Sequence, residues 1–185
     1  FRGKDVLDIG AWDGFYSFHA ESQGARSVTA LDYYIWTGKS WASKAGFDLA
    51  RRRLKSNVRD IVCDVMRLTP EIVGGNPFDV VLFAGVFYHL PNPIPALENI
   101  RRVLKTGGRL FLETEIDRAH EKFPYMRLYH KTKLNDDSSN VWVPNRKGIE
   151  ELLDYLGFRV DEGFLSPFSK SRLILYCTKI SDEPE

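Results

Sequence analysis

The stretch "DIGAWDG", from Asp8 to Gly14, sets two carboxylates and two glycines at the end of a short apolar run. Gly10 permits a backbone conformation that other residues resist and leaves no side chain between the loop and a ligand. Gly14 lets a following helix begin close to the strand or to that ligand. Asp32 ends the next apolar run, about 20 residues after Gly10, the distance at which an acid accepts both hydroxyl hydrogens of an adenosine ribose. Asp64 ends a third run beside Val65 and Met66. Its carboxylate is placed either to meet an adenine amino group, with the apolar neighbours along the ring, or to cap a turn. His89 follows a fourth, nearly continuous apolar run and is the candidate base or acceptor-orienting group; the alternative is a loop histidine bonded to backbone. Tyr88 beside it would flank a ligand or pack in the core. Glu113 ends a fifth run on the same side, placed to bind substrate or to cap the strand's connection.

Two ligand classes use such a crevice. A dinucleotide needs its pyrophosphate seated on a G-x-G-x-x-G turn and a helix N-terminus. Here the second glycine is replaced by Trp12, which would instead stack near a cofactor or pack the first helix on the sheet, and Phe15 fills the third position. S-adenosylmethionine carries no phosphate and ends in an amino-carboxylate, whose ammonium Asp8 or Asp13 would hold. The missing glycine therefore tells against a dinucleotide more than against S-adenosylmethionine. No H-x-x-x-H or C-x-x-C spacing is present, so no metal is expected, and no G-x-S-x-G elbow supports a serine hydrolase.

The elements that must position these residues alternate. "DVLDI" reads as a strand, "FYSFHAES" as a helix with Phe15, Phe18 and Ser22 at helical spacing, and "SVTALD" as the second strand. An aromatic loop "YYIWTGKSW" leads to a helix in "WASKAGFDLARRRLKS", whose polar face carries Arg51, Arg52, Arg53 and Lys55. "VRDIVCDV" and "FDVVLFAGVFYHL" are the next strands, the latter apolar enough to be covered on both faces. "IPALENIRRVLK" puts Leu97, Ile100, Val103 and Leu104 on one helical face, and "TGG" ends it before "RLFLET". A polar excursion over 115–145 precedes a helix with Ile149, Leu152, Leu153 and Leu156 as its stripe, and "SRLILYCTK" closes the domain. The expected fold is a Rossmann-like α/β three-layer sandwich with a mostly parallel, seven-stranded sheet and an antiparallel edge strand. Its ligand belongs beyond the carboxyl ends of the strands.

With 185 residues, 43% of them hydrophobic, a single domain over 1–185 is expected. The net charge of +1 supplies no global field for nucleic acid. Cys63 and Cys177 both lie in apolar runs, as buried free thiols of a reducing, cytoplasmic protein would. No run of about 18 apolar residues exists to span a membrane. The chain opens almost directly on a strand without an initiator Met, so a substrate-covering segment is expected to be missing at its N-terminus.

"VLDIGAWDG", "ALD" with Asp32, "VCDV" with Asp64, "FDVVLFAGVFYHLPNPIPALENIRRVLKTGG" and "RLFLET" together resemble the class I S-adenosylmethionine-dependent methyltransferases over roughly residues 4 to 114. Within that class the chain is most similar to the branch of tRNA wobble-uridine modifying enzymes, on Tyr88, His89 and Pro91 and on "MRLYHKTKLNDDSSNVWVPNRKGIEELLDYLGF". The resemblance implies Gly10 against the cofactor, Asp32 on the ribose, Asp64 near the adenine, and Gly85 and Val86 lining the methionyl side. One bacterial group of that branch uses a carboxylated cofactor and has a charged pair after "YH", where this chain has Leu90 and Pro91. The departure weighs toward methyl transfer to oxygen or nitrogen of a small molecule or natural product. Wobble-uridine methyl or carboxymethyl transfer to tRNA is the alternative, and a non-catalytic partner protein of the same fold is a third. Arg127 and Trp142, in the basic and aromatic excursion, are the remaining candidate substrate contacts; with Arg51, Arg52 and Arg53 they are the features that favour RNA. Oligomeric state is not legible.

Overall fold

The structure is a computed structural model describing residues 1–38 and 42–182; positions 39–41 of the aromatic loop and 183–185 lie outside the described residues. Nine strands and four α-helices follow in chain order: β1 (Asp5–Ile9), α1 (Phe15–Ser22), β2 (Ser27–Asp32), α2 (Ala45–Leu54), β3 (Arg59–Val62), β4 (Phe78–Ala84), α3 (Pro93–Val103), β5 (Leu104–Glu115), β6 (Met126–Leu128), β7 (Trp142–Pro144), α4 (Arg146–Tyr155), β8 (Phe158–Leu165) and β9 (Arg172–Lys179). Two short 3₁₀ turns, Val65–Arg67 and Phe87–His89, follow β3 and β4.

Seven strands form one sheet in the order β3-β2-β1-β4-β5-β9-β8. The first five are parallel; β9 runs antiparallel to both β5 and β8, so the antiparallel member lies one place in from the margin. Alternation along the strands divides the core in two, because successive side chains leave opposite faces. On one face Val6, Val28, Ala30 and Leu82 meet Phe18 and Ala20 of α1 and Phe47 of α2. On the other, Leu7, Ile9, Val81, Phe83, Leu110 and Leu112 meet Leu97 and Ile100 of α3 and Ile149 and Leu153 of α4. Each such fully buried aliphatic side chain contributes about 1.5–3 kcal/mol.

Local departures from the sequence expectation have identifiable causes. Phe15 is exposed, while Ser17, Phe18 and Ala20 face the sheet, because α1 has only 8 residues and its packing is set by Gly14 and Phe18. Leu104 does not extend the stripe of α3: its ψ of 136° makes it extended, and it pairs with Phe78 before the register slips around Gly107 and Gly108. The excursion carries its own two-stranded sheet, β6 against β7. Cys63 and Cys177 are free thiols, and burial pushes Cys177 up to about 12.

Gly14 caps α1 with φ 85°, a left-handed conformation, and a Cβ there would collide with Phe18 and come within 2.7 Å of Phe47. That side of Gly14 is thus taken by the aromatic core. Gly14→Ala is expected to cost about 3 kcal/mol, combining left-handed strain with overpacking, and to lower Tm by about 6–12 °C in a thermal melt.

Candidate active site

The carboxyl ends of the parallel strands β1 to β5 lie on one side of the sheet and define the candidate crevice, with the loop after β1 beside the end of β2. Gly10 and Ala11 donate their backbone N–H groups to the carbonyl of Leu31, at 2.8 and 3.1 Å. Trp12 N–H donates to Asp32 Oδ2 and Ile35 N–H to Oδ1, both at 3.0 Å, and the Trp36 indole donates to the Trp12 carbonyl at 2.8 Å. Asp32 is 5% exposed, and burial raises its carboxyl above the usual range despite these amides. The backbone amides of Tyr33 and Trp36 also bond this carboxylate, so the turn after β2 wraps it. Gly10, at φ 78°, lies against Val86, whose Cγ2 fills the space a Cβ would need; the two residues share one wall.

Asp64 caps the 3₁₀ turn after β3, accepting from Met66 N–H at 3.0 Å through Oδ1, and Asn99 of α3 fixes the same turn by donating to the Val65 carbonyl at 3.0 Å. The cap is thus present, and Oδ2 stays available to an amino group. Asp8 is buried and accepts from Ser17 Oγ at 2.6 Å. Asp13, the other candidate for the ammonium, lies instead against Gly46 in the first turn of α2. Trp12 is 44% exposed, its φ of 48° turning the ring away from the core of α1.

At the far end of the crevice is a group the sequence reading missed. Arg172, the first residue of β9, binds Glu113 through two parallel hydrogen bonds, one from Nε to Oε1 and one of 2.6 Å from Nη2 to Oε2. Its Nη1 donates to Tyr88 Oη at 2.7 Å and to Glu115 Oε1 at 3.4 Å, and its plane lies 4.9 Å from the Tyr88 ring centre. Gly85, at φ 72°, opens onto this cluster: a Cβ there would stand 3.6 Å from Arg172 Nη2 and 3.9 Å from Glu113 Oε2. Glu113 is therefore occupied by Arg172, and Tyr88 is both buried and polar-bonded.

His89 packs against Tyr88 with ring centres 4.2 Å apart and the rings tilted by 41°, and its Nδ1 lies 3.0 Å from Ser139 Oγ. Burial lowers its imidazole below the ordinary value, so it is neutral at pH 7. The excursion is fastened to this turn: Val141 N–H donates to the Tyr88 carbonyl at 2.8 Å and Trp142 Nε1 to the Pro91 carbonyl at 2.9 Å. Trp142 thus acts as a clamp. Arg127 is largely exposed, paired with Asp117 at 3.3 Å and stacked on Tyr129, apart from the Gly85 cluster. Among the described residues no His, Cys, Asp or Glu group is arranged to hold a metal ion, and no helix is long and apolar enough to cross a membrane.

Burial of Asp8 raises its carboxyl to about 6, against the opposing hydrogen bond from Ser17. A folded-state value above the unfolded 3.8 means that the native protein holds the proton more tightly, so stability falls as pH rises between about 4 and 6. Asp8→Asn should flatten that slope and stabilise the fold by about 1–3 kcal/mol at pH 7.5. Urea denaturation at pH 4.5 and 7.5 measures both, and an unchanged slope would show that Asp8 is not the titrating group.

A methyltransferase-domain family model matches residues 1–162. The chain is similar to proteins named tRNA U34 carboxymethyltransferase: 29% identical over 155 residues to that of Wolinella succinogenes, covering 84% of this chain and 52% of that protein, and 35% over 161 residues to that of Pseudomonas aeruginosa, covering 85% and 45%. It spans about half the length of these relatives. Among solved structures it resembles the 1,6-didemethyltoxoflavin-N1-methyltransferase of Burkholderia thailandensis, with TM-score 0.71, 22% identity and 97% and 72% of the two chains covered. It also resembles an S-adenosylmethionine-dependent methyltransferase of Mesorhizobium loti, with TM-score 0.73, 14% identity and 96% and 91% covered. Strand order, the Gly10 loop fastened to Asp32, and the matched residues agree: the chain belongs to the methyltransferase-domain family and has the class I S-adenosylmethionine-dependent methyltransferase fold.

Proposed function

We propose that this chain is the donor-binding and transfer domain of an enzyme that carboxymethylates the wobble uridine, U34, of tRNA, taking the group from a carboxylated S-adenosylmethionine. The donor half of the proposal rests on fit. Asp32 places a carboxylate at the end of β2 for a ribose, Asp64 keeps Oδ2 for an adenine amino group, and neither Gly10 nor Gly85 puts a side chain into the crevice. Nothing in the loop is built to seat a pyrophosphate. When bound, such a donor supplies an electrophilic carbon on a positively charged sulfur.

The observation that carries the proposal is the Arg172 guanidinium, held with Tyr88 Oη beside Gly85 at the strand ends where that carbon belongs. Arg172 Nη1 donates to Tyr88 Oη at 2.7 Å and makes a longer contact of 3.4 Å to Glu115, a bond it can exchange for a donor carboxylate while Glu113 keeps the fork oriented. The relatives' names support the same reading, and exposed Arg52, Arg53 and Lys55 on α2 with Lys131 and Lys133 in the excursion supply cations for phosphates. Methyl transfer to a small acceptor is the second reading, favoured by neutral Leu90 and Pro91 after the Tyr88-His89 pair.

Calorimetric titration distinguishes the two. Carboxylated S-adenosylmethionine should bind more tightly than S-adenosylmethionine, and Arg172→Gln should weaken the carboxylated donor by about 30-fold or more while changing the other by less than about threefold. Equal affinity for both donors would defeat the carboxymethyl reading. Asp32→Asn, which retains one acceptor for the loop amides, should raise the Kd for S-adenosylhomocysteine by about tenfold. Nucleoside mass spectrometry of tRNA incubated with the full-length protein and the carboxylated donor should then show carboxymethylated U34.

A further inference from the structure

Ser139 Oγ stands between two titratable groups, 3.0 Å from His89 Nδ1 and 2.6 Å from Asp137 Oδ1, and Ser139 N–H donates to the same carboxylate oxygen at 2.8 Å. These hydrogen bonds hold Asp137 below the usual carboxylate range, so it is ionised at neutral pH. An ionised carboxylate only accepts, which sends the serine hydroxyl proton to Asp137 and leaves Ser139 Oγ with lone pairs toward the ring. Neutral His89 must then carry its proton on Nδ1. Its Nε2 then presents a lone pair.

We infer that Ser139 and Asp137 are positioning residues that fix His89 as the Nδ1–H tautomer, so that Nε2 takes the proton released by the acceptor during transfer. The inference rests on the transfer reaction proposed above. Its parts come from two places in the chain: His89 from the turn after β4, Ser139 and Asp137 from the excursion between β6 and β7. The Val141 and Trp142 bonds to that turn, and the 2.9 Å bond from Asn140 Nδ2 to the Leu134 carbonyl, set the excursion against it.

The charges around the ring fit the task. Asp137 faces it through Ser139 and favours imidazolium; Arg172 of β9 opposes it from beyond Tyr88, and Glu113 and Glu115 of β5 are bonded to Arg172. Burial keeps the resting ring neutral. The balance of the step is simple: an acceptor oxygen or nitrogen bonds to the donor's transferred carbon, the carbon–sulfur bond breaks with both electrons kept by sulfur, and the acceptor's proton passes to His89 Nε2. Imidazolium then donates two hydrogen bonds, one of them to Ser139, whose own proton remains on the Asp137 side.

The tautomer is read directly by nitrogen-15 correlation NMR of the histidine rings in the 185-residue chain. Wild type should show His89 as Nδ1–H at pH 7.5. Ser139→Ala and Asp137→Ala, which removes the acceptor for the serine proton, should shift the major form to Nε2–H, and Ser139→Thr, which keeps the hydroxyl, should restore Nδ1–H. With full-length enzyme and tRNA, the first two variants should lose about 10- to 100-fold in kcat with little change in KM, and Ser139→Thr should recover most of it. A wild-type Nε2–H ring, or a tautomer indifferent to both variants, would overturn the relay even if tRNA is modified. The expected tautomer pattern with no tRNA modification by wild type would uphold the relay and defeat the reaction proposed above.

Discussion

The whole crevice depends on one buried carboxylate. Asp32 ends β2 and receives amides from two separate loops, Trp12 from the turn after β1 and Ile35 from the segment after β2. The parallel register that places Ile9 beside Leu31 brings Trp12 within reach of Asp32. With the Leu31 carbonyl taking Gly10 and Ala11, the end of β2 decides where the first loop runs. Gly10 then meets Val86, which ties the loop to the end of β4. A carboxylate that must also serve a ribose is therefore the loop's own anchor, and its structural and binding duties are separable only by a substitution that keeps an acceptor, such as Asn.

The other end of the crevice depends on the direction of β9. Parallel strands deliver their last residues to the site, so a residue at the start of a parallel strand lies on the opposite side of the molecule. Because β9 is antiparallel, its first residue, Arg172, lands opposite Glu115 and beside Glu113. Glu113 and Glu115 both bond to the one guanidinium, so removal of Arg172 would strand both. Hydrogen bonds to charged groups contribute about 1.5–3 kcal/mol each, so the cluster fixes β5, β9 and the Tyr88 turn as one unit.

This geometry explains what was legible in the sequence. The stripes at 97, 100 and 103 and at 149 and 153 specify helices through burial alone, and period-two alternation specifies strands; both are local signals. Gly10 and Asp32 were legible because a glycine and an acid at successive strand ends have few other uses. Arg172 was not, since its importance exists only once β9 is paired antiparallel with β5, a contact 59 residues away from Glu113. Asp137 and Ser139 were hidden for the same reason, 50 residues separating Ser139 from His89. At Gly14 the same residue type serves a close ligand or a close phenylalanine, and only the packed structure shows Phe18 and Phe47 on the side a Cβ would occupy.

The site also concentrates unfavourable terms. Trp12 holds a left-handed φ of 48°, which costs a non-glycine residue about 1–2 kcal/mol, and Asp8 must ionise in a fully buried setting. These costs together approach a sizeable fraction of the 5–15 kcal/mol that usually separates folded from unfolded domains. They persist because the surroundings overdetermine them: Trp12 is held at its amide by Asp32 and at its carbonyl by Trp36, and Asp8 is held by Ser17. A glycine at position 12 would relieve the first strain and an asparagine at position 8 the second. That neither relief is taken, although both lie within the seven residues from Asp8 near the end of β1 to Gly14, is the physical sign that this segment is shaped for a ligand and not for stability.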